Sequence, residues 1–452
     1  MAEKFSYKTE DDLKSAISSM GLKIRLSDDL SSLSKPLIIN GRRAENRFAI
    51  LPMEGCDSEL DGSPSFLASR RYLRFFTGGA GLVWWEANAV VEEGRANEHQ
   101  MMITDSNLPL FKAQLKMLKN EAEKLNGYSP ISILQLTHSG RYSRPSGHKP
   151  APLVPQRDPI LDPRTGVISD DQVVTDEYLE SLIPHYVRSA ELAREAGYDG
   201  VDVKACHRYL LSELLASHTR GGRFGGSFEN RISLILEIIR SIKKSVGDDF
   251  IIASRFNVFD AHPYPYGFGE DKEDFWKFDE TEPLEFVRQI VKEGVSLLSN
   301  SAGNPYYIYP QVTRPFDTSS EGIPVPEEHQ LQSIERLFSF TEKIQKAAGD
   351  VPVIGNGYTW LREFLANAGA ANIEDGRCQM VGLGREAIAY PDAPNDVLKH
   401  GAMQRGRCCI TCSKCTQMMR DHGMDGCVVR DSELYAPMFQ RQHKEAKERV
   451  NG

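Results

Sequence analysis

The chain has 452 residues, 40% of them hydrophobic and 26% charged, with a formal net charge of −9 at pH 7. This composition is typical of an ordinary globular protein, and the negative balance argues against a general binder of nucleic acid or of acidic membranes. No run approaches about 18 apolar residues, and the N-terminus lacks the apolar segment of a signal peptide. We therefore expect a soluble, cytoplasmic protein, and we leave open whether it forms a homo-oligomer.

Eight short runs rich in Val, Ile and Leu alternate with longer amphipathic segments. The runs are 47–53, 81–90, 131–136, 198–204, 250–257, 294–302, 351–356 and 379–384. A helical pattern follows each run, which is typical of strand–helix units around a parallel sheet. Pro184 lies in the segment before the fourth run and predicts a kink there. Eight such units predict an α/β fold of the (β/α)8 TIM-barrel type, with an open doubly wound sheet as the alternative.

The cysteines divide the chain further, because five of the eight lie between Cys408 and Cys427. We predict an N-terminal extension over residues 1–44 and a barrel over residues 45–401. A cysteine segment over residues 402–430 and a charged C-terminal tail over residues 431–452 complete the chain. Clustered thiols in an otherwise cysteine-poor chain indicate a metal site in a reducing compartment rather than a disulfide framework.

The ends of the predicted strands are polar, and chemistry in such barrels collects at the C-terminal ends of the strands. Gln135 offers both a donor and an acceptor, and Arg255 is a fixed cation. Gly357 and Gly384 can present backbone N–H groups, and with Arg385 they indicate a phosphate site. The stretch "GLGREA" also matches a dinucleotide fingerprint, but no strand follows it, so we reject that interpretation.

The fourth strand leads into "KACHRYLLSELL", which places three proton-bearing side chains within six positions. Lys204 and His207 are suited to holding a carbonyl oxygen and stabilising negative charge on it, and Tyr209 is suited to delivering a proton. A lone histidine near an apolar strand is more often structural. The grouping at a predicted barrel mouth favours the catalytic interpretation.

The late cysteines follow the pattern C-x-x-C-x-x-C, formed by Cys409, Cys412 and Cys415, with Cys427 further along the chain. Three closely spaced thiolates and a distant fourth are typical of a 4Fe-4S cluster. Zinc is the alternative, although a zinc ribbon would have two separated C-x-x-C pairs. A register that uses Cys408 instead of Cys409 stays open.

Four stretches together resemble the Old Yellow Enzyme family, the NADH:flavin oxidoreductase barrels that carry FMN. They are "ILQLTHSGR", "AGYDGVDVKACHRYLLSELLASHTRGGRFGGSFENR", "PVIGNGY" and "MVGLGREAIAYPD". The resemblance implies FMN at the barrel mouth and assigns Lys204 and His207 to the oxygen-binding pair and Tyr209 to the proton donor. The cofactor-binding residues that it implies are Pro52, Met53, Glu54, Ala87, Gln135, Arg255, Gly357, Gly384 and Arg385.

Two positions depart from the family pattern. Lys204 stands where relatives usually have histidine, so the substrate preference of the family does not transfer. Glu54 stands where threonine or cysteine is common, and an ionised carboxylate there would lower the flavin potential unless it is protonated or paired. Glu54 also excludes the covalent flavin attachment that amine-oxidising relatives make through a cysteine at this position.

The cysteine spacing resembles the iron–sulfur branch of the family, which includes 2,4-dienoyl-CoA reductase and trimethylamine dehydrogenase. That branch continues into FAD- and nucleotide-binding domains, for which residues 428–452 are too short. We therefore expect the cluster to exchange electrons with a separate protein, such as a ferredoxin, a flavoprotein or a reductase subunit.

These observations predict an ene-reductase that transfers a hydride from reduced FMN to the activated C=C of a small α,β-unsaturated carbonyl compound. One alternative is a dehydrogenase that oxidises an amine or an alicyclic substrate and sends electrons out through the cluster. A second is a non-catalytic flavin and iron–sulfur electron-transfer subunit. Aromatic residues in 262–269 and 304–310 either line a substrate pocket or pack in ordinary loops.

Overall fold

The computed structural model describes residues 3–306 and 310–451. A hairpin of β1 (Leu37–Ile39) and β2 (Arg42–Ala44) precedes a closed barrel of eight parallel strands. The barrel strands are β3 (Phe48–Ile50), β4 (Leu82–Ala89), β5 (Ile131–Thr137), β6 (Gly200–Val203), β7 (Ile251–Phe259), β8 (Leu297–Ala302), β9 (Val353–Gly355) and β10 (Met380–Leu383). Each overlaps one of the eight predicted runs, and β10 pairs with β3 to close the ring. The predicted TIM barrel is confirmed.

Helices surround the barrel and extend beyond it. They are α1 (Glu10–Ser19), α2 (Phe66–Thr77), α3 (Leu108–Asn126), α4 (Asp162–Thr165), α5 (Asp176–Ala196), α6 (Leu210–Leu215), α7 (Phe228–Val246), α8 (Thr281–Lys292), α9 (Pro310–Thr313), α10 (Gln330–Ala348), α11 (Leu365–Glu374), α12 (Arg385–Ala389), α13 (Ala393–His400), α14 (Lys414–Arg420) and α15 (Ser432–Asn451). In α7, Ile235, Ile239 and Ile242 recur at helical spacing and are buried. The helix α5 runs unbroken through Pro184. None of the described helices is long and apolar enough to cross a membrane.

The hairpin β1–β2 covers the N-terminal end of the barrel. Ile39 and Ala44 are fully buried and belong to the same apolar cluster as Leu82 and Ile131, which begin their strands. Asn40 at the turn donates hydrogen bonds from Nδ2 to the carbonyl oxygens of Asp248 (2.8 Å) and Phe250 (3.2 Å). The hairpin therefore lies at the end of the barrel opposite the polar strand ends, whereas Phe5, at the start of the N-terminal extension, donates its backbone N–H to Asp317 (3.1 Å) beyond the strand ends.

The segment after the barrel folds back onto it. Met418 of α14 packs with Val428 and with Tyr435 of α15 in a small apolar cluster. Asp431, just before α15, accepts hydrogen bonds from the guanidinium groups of Arg70 (2.6 Å) and Arg74 (2.8 Å) on α2. The predicted charged tail is therefore a helix anchored to the barrel wall.

The buried side chain of His138, directly after β5, should make the folding stability depend on pH. Burial lowers its pKa to about 3. The Gly140 N–H donates to Nδ1 (3.0 Å), so Nε2 carries the proton and donates to the Tyr178 hydroxyl (2.8 Å). In the unfolded chain its pKa is about 6.5, so the unfolded state binds one more proton at pH 5. Stability from this group is therefore present above pH 6.5 and is lost as the pH falls toward 3.

We compare the free energy of unfolding of the native protein with that of the His138→Gln variant. The native value minus the variant value should fall by about 2 kcal/mol between pH 7.5 and pH 5. Urea denaturation at the two pH values measures this change. His185→Gln, at an exposed position of α5, serves as the control and should show no such change. If the difference between the native protein and His138→Gln does not vary with pH, His138 takes up its proton as readily in the folded protein as in the unfolded chain.

Candidate active site

A cleft with an empty volume of about 1150 Å³, including its part open to solvent, lies at the C-terminal ends of the strands. Ten of the residues predicted from the sequence line it: Pro52, Met53, Glu54, Gln135, Lys204, His207, Arg255, Gly357, Gly384 and Arg385. Tyr209 instead lines an adjoining cavity, and Ala87 is fully buried in β4 and lines neither. The structure thus brings most of the predicted site to one surface.

The amide of Gln135 is fixed by Asp202, a residue that the sequence analysis missed. Gln135 Nε2 donates to Asp202 Oδ2 (2.5 Å), which also accepts from Trp84 Nε1 (3.0 Å). The backbone N–H of Arg255 donates to Asp202 Oδ1 (2.8 Å). Burial raises the pKa of Asp202 to about 7, against the opposing effect of the Gln135 hydrogen bond. One buried carboxyl group therefore orients the Gln135 side chain and anchors the backbone of Arg255 beside the cleft.

The cleft contains guanidinium N–H groups that lack partners within the described residues. Arg255 Nη1 donates to the Pro52 carbonyl (3.3 Å), and Arg385 Nη2 donates to the Pro315 carbonyl (2.6 Å). Arg255 Nε and Arg385 Nη1 are buried with no hydrogen-bond partner there. Because buried donors are nearly always satisfied in proteins, these groups indicate a bound anionic or polar ligand.

Gly384 leaves room for such a ligand at the cleft, and Gly357 allows the backbone conformation needed beside it. A Cβ placed on Gly384 would meet only Met53 Sδ, at 3.7 Å, so the backbone faces open space. Gly357 has a φ of +92°, a conformation that glycine adopts without strain. The residues present therefore fit FMN, with Gly357, Gly384 and Arg385 suited to the phosphate and Gln135 and Arg255 suited to the polar edge of the ring.

Replacing Arg385 with glutamine tests this assignment. The variant should bind FMN about 10- to 100-fold more weakly, because it loses a charge-assisted hydrogen bond in a buried site. Quenching of FMN fluorescence during titration of the apoprotein measures the dissociation constant. Arg407→Gln is the matched control, since Arg407 pairs with Asp396 (3.1 Å) away from the cleft. An unchanged affinity in Arg385→Gln would exclude Arg385 from the phosphate site.

Glu54 is the centre of a group of reactive side chains. Its Oε1 accepts from Lys204 Nζ (3.3 Å) and from the Tyr209 hydroxyl (3.1 Å). The Lys204 ammonium also lies 3.8 Å from the centre of the Tyr209 ring, a cation–π contact. The Lys204 and Glu54 side chains are only 2% and 11% exposed. Glu54 is therefore paired, which is one of the two conditions under which its charge need not lower the flavin potential.

His207 lines the same cleft as Glu54 and Lys204. Its Nε2 lies 3.0 Å from Ser301 Oγ, and its backbone N–H donates to Asn257 Oδ1 (3.1 Å). Burial, with the nearby charges of Arg255 and Lys204, holds the pKa of His207 well below its usual range. The imidazole is therefore neutral at physiological pH, and Lys204 supplies the positive charge of the pair.

The second cavity adjoins the first and has an empty volume of about 1000 Å³. Glu54, Tyr306, Met419 and Arg420 line both cavities. The Tyr209 and Tyr306 hydroxyls lie 2.8 Å apart, and their rings are nearly parallel at 6°. Of the predicted aromatic segments, Tyr306 lines both cavities, no residue of 262–269 lines either, and Tyr307 and Tyr309 lie outside the described residues.

The four predicted cluster ligands, Cys409, Cys412, Cys415 and Cys427, line one small cavity that Arg385 also lines. Cys408 does not line it, and its thiol lies 3.5 Å from the Gln404 carbonyl. Backbone N–H groups point at two of the sulfurs, from Thr411 to Cys409 (3.4 Å) and from Arg430 to Cys427 (3.3 Å). Within the described residues, no three His, Cys, Asp or Glu side chains are placed to hold a single metal ion.

Other residues of the two cavities were not foreseen. Asp202 had a signal, because it lies in β6 two positions before Lys204, which directly follows that strand. Arg314, Tyr142 and Arg420 had none, since they come from connecting segments and from α14 after the barrel. Burial lowers the pKa of Arg314 to about 10, as expected for a cation without a carboxylate nearby.

A TIM barrel with these groups at its mouth fits the class of flavin-binding barrels that the sequence motifs indicate. The chain belongs to the NADH:flavin oxidoreductase / NADH oxidase family, which matches residues 32–282. This finding confirms the family predicted from the motifs. The iron–sulfur branch stays a prediction.

Among curated proteins, the NADH oxidase of Thermoanaerobacter brockii is 29% identical over 374 residues, covering 81% of this chain and 50% of the relative. The cinnamate reductase of Clostridium sporogenes is 26% identical over 416 residues, covering 89% and 58%. The chain thus spans about half the length of these curated relatives. A solved complex of 2-naphthoyl-CoA reductase with 2-naphthoyl-CoA has a TM-score of 0.68 at 22% identity, covering 89% of this chain and 57% of that chain, and shows the same fold.

Proposed function

We propose that this protein is an FMN-dependent ene-reductase that reduces the activated C=C of an α,β-unsaturated carbonyl compound. The observation that carries the proposal is the group of Glu54, Lys204, His207 and Tyr209 at the junction of two cavities. One cavity has the residues that fit FMN, and the other is lined by aromatic rings suited to a substrate. The name of the similar cinnamate reductase is consistent with this reaction.

When bound and reduced, FMN supplies the hydride for such a reaction. Lys204 and His207 are suited to donating hydrogen bonds to the carbonyl oxygen. His207 donates as a neutral imidazole, and the Lys204 ammonium stabilises the negative charge that develops on that oxygen. Because both groups are shielded from water, their interaction with the developing charge is stronger than it would be in solvent.

Tyr209 is the proposed proton donor to the α-carbon. Burial and the neighbouring Glu54 carboxylate raise its pKa well above the usual range, so the hydroxyl stays protonated and ready to donate. The Tyr306 hydroxyl, 2.8 Å away, is placed to return a proton to it from the second cavity. Glu54 accepts the Tyr209 hydrogen bond in the resting state and so fixes the orientation of the hydroxyl.

We further propose that Cys409, Cys412, Cys415 and Cys427 bind a 4Fe-4S cluster, which would exchange single electrons with a ferredoxin, a flavoprotein or a reductase subunit. Their lining of one cavity supports this assignment. A single zinc ion would require sulfur atoms about 3.8 Å apart, given Zn–S bonds of about 2.3 Å. A cubane holds its four sulfur ligands on separate irons and so further apart. Arg385 lines both the cysteine cavity and the cleft, so the two sites are adjacent.

The proposal is tested under anaerobic conditions with FMN-loaded protein. We expect a flavin spectrum together with iron and sulfide, and reoxidation of the reduced flavin by enones but not by their saturated analogues. Reduction of the oxidised flavin by an amine, with no response to any enone, would favour the dehydrogenase alternative. Protein that binds no flavin would contradict every version of the proposal.

A further inference from the structure

The second cavity is rich in positive charge as well as in aromatic rings. Arg144, Arg164 and Arg420 line it beside Tyr142 and Tyr306. Arg144 follows β5, whereas Arg420 ends α14, so segments far apart in the chain bring these charges together. Among the described lining residues the only carboxylate is that of Glu54, which Lys204 and Tyr209 already engage.

Two of these arginines have no acidic partner among the described residues. Arg420 Nη2 donates to the Pro305 carbonyl (2.9 Å), and its buried Nε has no partner there. Arg144 Nη1 donates to the His148 carbonyl (3.1 Å) and to His422 Nε2 (2.9 Å). Burial lowers the pKa of both guanidinium groups, which reflects charge removed from water without a compensating anion.

By contrast, the fully buried arginines away from the cavities are paired with carboxylates. Arg71 pairs with Glu86 (2.5 Å), Arg141 with Asp162 (2.6 Å) and Arg208 with Asp260 (2.8 Å). Since burying a cation is costly unless it is paired, these pairs are the ordinary solution. Arg144 and Arg420 depart from it at a cavity wall, where a ligand can provide the missing charge.

We propose that the second cavity binds an anionic oxygen group of the substrate, a carboxylate or a phosphate ester, through Arg144 and Arg420. This inference rests on the proposed ene-reductase function and names its substrate class. With the reacting carbonyl at Lys204 and His207, the anionic group belongs to the part of the substrate remote from the double bond. Tyr142 and Tyr306, with ring centres 4.4 Å apart, line the cavity wall beside the intervening apolar part.

The forked guanidinium groups suit this role because two parallel N–H groups match the two oxygens of a carboxylate or phosphate. His422 acts as a positioning residue, since its Nε2 accepts from Arg144. Burial and the Arg144 charge lower the pKa of His422 to about 4, so the acceptor nitrogen stays unprotonated at physiological pH.

The test uses three matched ligands: 4-carboxybenzylideneacetone, its methyl ester, and the phosphate ester of 4-hydroxybenzylideneacetone. Isothermal titration calorimetry with oxidised, FMN-loaded protein measures binding without turnover. We expect one or both anionic compounds to bind at least tenfold more tightly than the methyl ester, and the stronger of the two identifies the anionic group. Equal affinity for all three would overturn the inference.

The variants Arg144→Gln and Arg420→Gln should each remove most of the preference for the anion and change binding of the methyl ester less than twofold. Arg420→Lys should restore part of it, because it keeps the charge but not the fork. Arg441→Gln, at an exposed position on α15, is the control and should behave as the native protein. A preference kept in both glutamine variants would also overturn the inference.

Turnover of the same compounds separates this inference from the proposed function. Tight binding of an anion that is never reduced would leave the arginine site standing and remove the ene-reductase reaction. Reduction of the methyl ester with the same kcat/KM as the anionic compounds would support the ene-reductase reaction and remove the arginine site.

Discussion

The Lys204→Met variant is expected to lose about 10²- to 10³-fold in kcat/KM for an α,β-unsaturated ketone, because it lacks the cation that stabilises charge on the substrate oxygen. Methionine has a similar length and replaces the cation–π contact with a sulfur–aromatic contact to the Tyr209 ring. His207 cannot compensate, since its depressed pKa keeps it neutral. Steady-state kinetics with FMN-loaded protein, after measurement of the flavin content, gives the result.

The Lys204–Glu54 contact makes a second variant necessary. Removing Lys204 leaves the buried Glu54 carboxylate with one of its two donors, so part of the loss can come from an unpaired charge. In Lys204→Met with Glu54→Gln that charge is gone, and stability should recover while the rate does not. Glu54→Gln alone should cost less activity, because the Lys204 ammonium is retained. A Lys204→Met rate within tenfold of native, with FMN bound, would remove Lys204 from the reaction.

The Cys415→Ser variant is expected to lose its iron, from about four atoms per chain to nearly none, and to lose more than 100-fold in turnover driven by reduced ferredoxin. If FMN is reduced photochemically instead, a single turnover with the enone should proceed within twofold of the native rate. Iron and sulfide assays, together with the two kinetic measurements, separate electron delivery from substrate chemistry.

Cys408→Ser is the matched control, because Cys408 is fully buried outside the cysteine cavity. It should keep its iron, whereas Cys409→Ser should lose it. If Cys408→Ser loses its iron and Cys409→Ser keeps it, the cluster ligand is Cys408 instead of Cys409. Iron retained in Cys415→Ser, or zinc in the native protein, would contradict the cluster.

The fold was predictable because its strongest signal is local. Parallel strands buried on both faces appear as continuous runs of β-branched and aliphatic residues, and each of the eight runs overlaps a barrel strand. The hairpin β1–β2 was missed because most of its side chains are exposed and β2 begins with two arginines, so it lacks the continuous buried run of the barrel strands. Pro184 was expected to interrupt its segment, but the surrounding packing keeps α5 continuous.

The site was predictable where its residues sit at strand ends or in family motifs, as with Gln135, Arg255 and Arg385. The pairing of Lys204 with Glu54 was not, because 150 residues separate them and only the closed barrel brings them together. Arg144 and Arg420 are harder still, since nothing in their local sequence distinguishes them from ordinary surface arginines.

The short helix α14 has a mechanical consequence. Cys415 lies in its first turn, and Met419 and Arg420, one turn later, line both the cleft and the second cavity. Because a single helical turn transmits displacement almost rigidly, whatever fastens the thiol end also sets the guanidinium end. Thermodynamic reciprocity then requires that any change in ligand affinity caused by metal loading be matched by an equal change in metal affinity caused by the ligand.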